Sequence, residues 1–125
     1  MWSVVVCDGD KAEREHILEY IRRFYSGDGQ EVNAEGCADW PELFEKLRQA
    51  EPDVILIAQD GVEGLDTVTN MHLPPRKIIW FSDLDFGVQA YRLCLSWFGK
   101  KPVTYQKLEQ ALVRCIERAT GTGGA

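Results

Sequence analysis

The sequence has no apolar run approaching the roughly 18 residues of a membrane-spanning helix. It also lacks a basic leader. Met1-Trp2-Ser3 runs straight into Val4-Val5-Val6-Cys7 and then meets acid at Asp8, the pattern of a strand rather than of a secretory signal. Positive charge is in deficit: 14 Lys and Arg face 20 Asp and Glu, for a net charge of −6. Non-specific binding to nucleic acid or to an anionic membrane needs a basic face, so the composition argues against both. Histidine is scarce. His16 falls in the first helix and His72 in a loop, and neither has a partner at metal-ligand or nucleophile spacing, so both read as solvent-facing. No Cys-x-x-Cys pair occurs. Cys7, Cys37, Cys94 and Cys115 are far apart in the chain, which argues against a zinc site or a redox pair. Each sits among apolar residues and reads as a small hydrophobe in a reduced, cytoplasmic protein.

What is present is an alternation of strand and helix signals. Residues 3–7 form a β-branched apolar run, followed by Asp10-Lys11-Ala12-Glu13, a capping-box pattern in which Asp10 caps and Glu13 reaches back. Ile17, Leu18, Ile21 and Phe24 then recur at helical spacing until Ser26-Gly27-Asp28-Gly29. Residues 31–36 make a weak, polar strand suited to a sheet edge. Asp39-Trp40-Pro41-Glu42 starts a second helix with proline in its first turn and Leu43, Phe44 and Leu47 on its inner face. Residues 53–58 are apolar on both sides, as in a central parallel strand covered by helices on two faces. Residues 61–71 are weakly helical up to Pro74-Pro75, and 77–82 give another apolar strand. Residues 85–93 read as a helix, 95–98 as a short fifth strand and 105–119 as an amphipathic helix carrying Leu108, Leu112, Val113 and Ile116. Five strands alternating with five helices imply one domain over 1–119, an α/β parallel sheet wound on both faces, with residues 120–125 as a tail or linker. In such sheets ligands sit beyond the carboxyl ends of the strands, which directs attention to Asp8, Asp10, Ala58, Asp60, Ser82 and Lys101.

The residues at those ends resemble the receiver domains of bacterial response regulators of the LytR/AlgR type. The run from Val5 through Cys7-Asp8-Gly9-Asp10 to Glu15 is similar to their opening, where consecutive aspartates hold Mg²⁺. Pro52-Asp53-Val54-Ile55-Leu56-Ile57 resembles the strand that ends on the phospho-accepting aspartate. Ile78-Ile79-Trp80-Phe81-Ser82 resembles the strand ending in a phosphate-sensing Ser or Thr, and Lys101-Pro102 the Lys-Pro pair after the fifth strand. Phe98 matches the aromatic switch position. The resemblance spans residues 3–119 and implies a flavodoxin-like (βα)5 fold with strand order 2-1-3-4-5.

The departures bear on function. The acceptor position, five residues after Asp53, holds Ala58, which has no oxygen to phosphorylate, and the second metal aspartate falls on Gly9. Phosphoryl transfer rests on positioning and charge neutralisation. The sequence therefore implies a degenerate receiver, not an enzyme, without cofactor, and Asp8 remains a weak metal candidate. Asp8 and Asp10 would be remnants of the acidic pocket, and Ser82, Phe98 and Lys101 remnants of the switch. The plainer alternatives are that Asp10 is only a cap, that Asp8 is a solvated loop acid, and that Ser82 and Lys101 are structural. A competing expectation has Asp60 as a displaced acceptor working with Mg²⁺, although it lies two residues past the strand end. A flavin or nucleotide binder ranks lower, because no Gly-x-Gly-x-x-Gly loop follows the first strand. The resemblance further implies a homodimer or protein partner on the face formed by the fourth helix, fifth strand and fifth helix, near Trp80, Phe81, Phe86, Tyr91, Trp97 and Phe98. It also implies a DNA-binding domain in a longer parent chain.

Overall fold

The computed structural model describes residues 1–120; the expected tail lies outside the described residues, apart from Thr120, which closes the last helix. Five parallel strands, β1 (Trp2–Cys7), β2 (Val32–Cys37), β3 (Val54–Ile57), β4 (Ile78–Ser82) and β5 (Trp97–Lys100), form one sheet in the order β2-β1-β3-β4-β5. The helices are α1 (Lys11–Gly27), α2 (Trp40–Gln49), α3 (Gly61–Asn70), α4 (Gly87–Arg92) and α5 (Tyr105–Thr120), and a 3-10 turn at Pro75–Lys77 leads into β4.

The period-two alternation of strand side chains divides the core into two layers. Val4, Val6, Leu56, Ala58, Ile79 and Phe81 face α1 and α5, meeting Ile17, Ile21, Leu108 and Leu112. Val5, Cys7, Ile55, Ile57, Ile78 and Trp80 face α2, α3 and α4, meeting Leu43, Val68 and Ala90. Both faces of β3 are therefore fully buried, as its apolar run requires. β2, the polar strand, lies at an edge.

Several sequence expectations shift. β5 runs two residues later than expected because Ser96 is drawn into the turn, where its backbone N–H bonds the Ile78 carbonyl and its hydroxyl donates to the Arg76 carbonyl. α4 is shorter than 85–93, since the Asp85 carboxylate accepts from the Gly87 N–H and forms a turn ahead of the helix. Phe44 does not join the inner face of α2: it is half exposed, whereas Leu43 is buried. Tyr25, rather than Phe24, is the fully buried aromatic of α1, and Val113 of α5 faces outward. Cys94 is no core hydrophobe. It is exposed, with φ of 60° in the turn after α4.

One glycine sets how closely α3 approaches the site. A Cβ on Gly64 would lie 2.4 Å from the Gln59 carbonyl oxygen, so only glycine lets the first turn of α3 press against the loop that carries Asp60. Gly64→Ala must move backbone against backbone and is expected to destabilise the fold by about 1–3 kcal/mol. A urea titration of the variant beside the parent, compared at equal slope, checks this.

Candidate functional site

The carboxyl ends of β1, β3, β4 and β5 enclose a small polar pocket whose centre is the ammonium of Lys101. The residue's side chain is 11% exposed. Its Nζ donates to Glu13 Oε1 at 2.5 Å, to Asp60 Oδ1 at 2.7 Å and to the Ala58 carbonyl at 2.6 Å. An ammonium has three N–H donors, and all three are used. Lys101 is positioned by its backbone N–H, which bonds the Ser82 carbonyl at 2.8 Å; the Lys101–Pro102 peptide is cis. Burial pulls the lysine pKa down, but the hydrogen bonds to Asp60 and Glu13 outweigh it and raise the pKa above the ordinary value.

Asp60 stands at the N-cap position of α3 but makes no cap hydrogen bond, because its carboxylate turns to Lys101 instead. The loop thus folds back and brings this residue onto the pocket lysine despite its place two residues beyond β3. The N–H of Gly61, at φ 60°, is satisfied from across the pocket by Asp83 Oδ1 at 2.8 Å. That bond holds the Asp83 carboxyl below the usual range, and the Ser82 hydroxyl adds to the effect by donating to the same oxygen.

Asp8 is not a solvated loop acid. It is 2% exposed. Its Oδ1 accepts from the Asp10 N–H at 2.9 Å, while Oδ2 has no hydrogen-bond partner among the described residues. Burial, reinforced by the neighbouring Glu13 carboxyl with which it can hydrogen-bond when one of the two is protonated, pushes the Asp8 pKa up to about 8. Asp10 caps α1, accepting from the Glu13 N–H at 3.1 Å. The return arm of the expected capping box is missing: Glu13 spends its carboxylate on Lys101, and Asp8 takes over the Asp10 N–H. Sequence reading missed Glu13 as a pocket residue because the capping motif explained it already. Its contact with Lys101 spans 88 residues of chain.

The acceptor position, Ala58, is fully buried and offers only its carbonyl, to Lys101. Ser82 is fully buried, and its Oγ accepts from the Leu84 N–H as well as donating to Asp83. Asp53 lies at the opposite end of β3, where it accepts from the Ser3 N–H. His16 and His72 are exposed.

These residues do not fit the Mg²⁺ that a receiver pocket implies. A hard dication needs several ionised oxygens, but Glu13 and Asp60 are engaged by an ammonium, Asp8 is held towards its neutral form, and Gly9 and Ala58 supply no carboxylate. Among the described residues no group of three His, Cys, Asp or Glu side chains could hold a metal ion.

Phe98 lies half-buried with its ring in an edge-on contact to Trp80, 5.2 Å between centroids, and Phe86 stacks on the same indole at 4.9 Å. Of the aromatics near this face, Trp80 and Phe81 are fully buried and Phe86, Trp97 and Phe98 half-buried. Only Tyr91 is open to solvent; Val88, one turn earlier on α4, and Leu84, in the loop before α4, are also exposed.

The sheet order, with a polar pocket built around Lys101 at the strand ends, is the response-regulator receiver fold, the CheY-like form of the flavodoxin-like class. The chain is similar to a CheY-like receiver domain from Methylobacillus flagellatus (TM-score 0.73, 18% identity, 92% of this chain and 98% of that one). It is also similar to the signal receiver domain of a DNA-binding response regulator protein from Colwellia psychrerythraea 34H (TM-score 0.71, 14% identity, 94% and 99%). At such identities the likeness shows the fold. In sequence it is 23% identical over 115 residues to the positive alginate biosynthesis regulatory protein of Pseudomonas aeruginosa, covering 88% of this chain. The chain spans 45% of that relative's length. No family model matches the sequence. Among the described residues no helix is long and apolar enough to cross a membrane.

The Asp8 pKa carries a pH dependence of known sign. An acid whose pKa is raised on folding holds its extra proton in the folded state, so its contribution is complete below the ordinary value of 3.8 and is lost as pH rises to about 8. Asp8→Asn keeps the neutral shape and removes the titration. The parent is expected to lose stability relative to this variant between pH 5 and 9 by at least about 1.4 kcal/mol, the equivalent of one pKa unit. Paired urea titrations at the two pH values measure it.

Proposed function

We propose that this domain is a degenerate receiver that works without phosphorylation, as a docking or dimerisation module in the regulatory part of a two-component-type transcription regulator. The observation that carries the reading is the Lys101 site. A receiver lysine serves an acidic acceptor, and here the acceptor side chain is a methyl group and the lysine is already neutralised by Glu13 and Asp60. With every N–H of the ammonium engaged, an incoming phosphoryl group finds no donor to spare from it and no carboxylate at position 58 to attack. The domain is then not an enzyme of its own phosphorylation and needs no Mg²⁺.

The output surface in this reading is the face of α4, β5 and α5, where Val88 and Tyr91, one turn apart on α4, are exposed at 62% and 85%. Exposed apolar side chains in such a group favour a protein contact. The shorter span relative to the alginate regulator, together with the name of the Colwellia neighbour, supports a parent chain with a DNA-binding domain; the acidic receiver itself would leave nucleic acid to that domain. The setting would be cytoplasmic.

A second reading keeps Asp60 as a displaced acceptor with Mg²⁺. Its support is that the Asp60 carboxylate is 60% exposed and already in contact with the pocket lysine. Intact mass after incubation with Mg²⁺ and acetyl phosphate separates the two. The expected outcome is an unchanged mass. A single added phosphoryl group that disappears in Asp60→Ala would overturn the first reading in favour of the second.

A further inference from the structure

Two of the four cysteines, dispersed in the chain, meet in the fold. Cys7 and Cys37 close β1 and β2 in register, directly opposite each other, and both side chains enter the same core layer against α2 and α3. Neighbouring strands lie about 4.8 Å apart, within the roughly 4.4–6.8 Å of Cα separation that a disulfide bridges. The protonation of each thiol is tied to the other. We propose that Cys7 and Cys37 form a reversible redox pair, oxidised to a cross-strand disulfide by a hydroperoxide, that staples the carboxyl end of β1 to the edge strand beside the Lys101 pocket.

The local chemistry assigns the two roles. The hydrogen bond from the Cys7 thiol, with Lys46 nearby, lowers the Cys37 pKa against the opposing effects of burial, Glu42 and Asp39. The same hydrogen bond, then burial and the charges of Asp39 and Asp8, raises that of Cys7. Cys37, at the end of the edge strand and with its pKa shifted down, is therefore the nucleophile, since the thiolate is the reactive form. Its sulfur attacks the peroxide, the O–O bond breaks, an alcohol or water leaves with the proton, and Cys37 becomes a sulfenic acid. The Cys7 sulfur then displaces hydroxide from it, and that hydroxide leaves as water with the Cys7 proton. Two thiols and one hydroperoxide give one disulfide, one alcohol (or water) and one water.

Access comes from the edge. β2 pairs with β1 alone, and Cys37 is its last residue. Local opening of an edge strand costs less than global unfolding and admits a small peroxide where a bulky reagent stays out. The consequence falls on the site. The Cys37 carbonyl accepts from the Asp8 N–H and the Cys7 carbonyl from the Ala58 N–H, so drawing the two sulfurs into a bond moves the backbone that carries Asp8 and Ala58. Asp39, two residues after Cys37, caps α2 and moves with it. None of this depends on whether the domain can be phosphorylated.

The test uses the chain with Cys94→Ser, which removes the exposed thiol and its intermolecular disulfides. The native protein is treated with hydrogen peroxide, remaining thiols are alkylated in denaturant, and intact mass and non-reduced peptide maps are recorded. The expected product is lower in mass by two hydrogens, carries a linked Cys7–Cys37 peptide, leaves Cys115 alkylated and reverts with a thiol reductant. Cys7→Ser and Cys37→Ser, which are nearly isosteric, should each abolish the mass loss, with Cys7→Ser trapping a sulfenic acid on Cys37. Both thiols still alkylated after excess peroxide, or the same mass loss in Cys7→Ser, would overturn the proposal.

Discussion

The pocket depends on one buried cation, the two carboxylates that neutralise it and the carbonyl that takes its third hydrogen bond. Lys101 is at the end of β5, Glu13 is on α1, Ala58 ends the β3 run and Asp60 opens α3, so a single ammonium ties four segments together where the strands end. Burying a charge is costly unless it is paired and hydrogen-bonded. A lysine in this place therefore requires anions around it. When the residue at the end of β3 is alanine, they must be recruited from elsewhere. Glu13 leaves the capping role its sequence suggests, and Asp60 gives up a helix cap that is typically worth about 1 kcal/mol. Asp83 covers the Gly61 N–H at the start of the helix.

That substitution of partners controls the other acid in the pocket. With Glu13 committed to Lys101 and lying beside Asp8, a second negative charge on Asp8 meets both repulsion and poor solvation. Its Oδ2 finds no donor, and the neutral form is favoured. The lysine ion pairs and the raised aspartate are thus one electrostatic arrangement. The carboxylates of this pocket are already balanced by a side chain of the same protein. Opening it to a dication would mean displacing the ammonium and ionising Asp8 together.

Much of the fold was legible because it rests on local signals: β-branched runs buried on both faces, the caps at Asp10 and Asp39, and the polarity of β2. The boundaries that moved were those set by side chain to backbone bonds. Asp85 shortens α4, and Ser96 delays β5, which runs on through Gly99, where a Cβ would lie 2.6 Å from the Phe81 ring. In the site, the missing carboxylate at 58 could be counted from the sequence, but its replacement could not. Glu13 reaches Lys101 across the whole chain, and a capping motif accounted for it locally. The cysteines teach the same lesson. Spacing of 30 residues suggested independence, and strand register, which a sequence specifies only through long-range pairing, put Cys7 opposite Cys37.

The aromatic residues bear on whether such a domain can switch at all. Phe98 meets the edge of Trp80, and the stacked face of that indole is covered by Phe86, while Gly99 lets β5 lie close against Phe81. Aromatic pairs of this geometry contribute about 0.5–1.5 kcal/mol each beyond the area they bury. Turning Phe98 outward would give up its contact with Trp80 and expose apolar surface. In the pocket behind it the Ser82 hydroxyl is committed to Asp83 and Leu84, and no phosphoryl group can form at Ala58 to draw it away. Packing thus holds the ring in place, and under the proposed phosphorylation-independent role a face built on it would keep one shape.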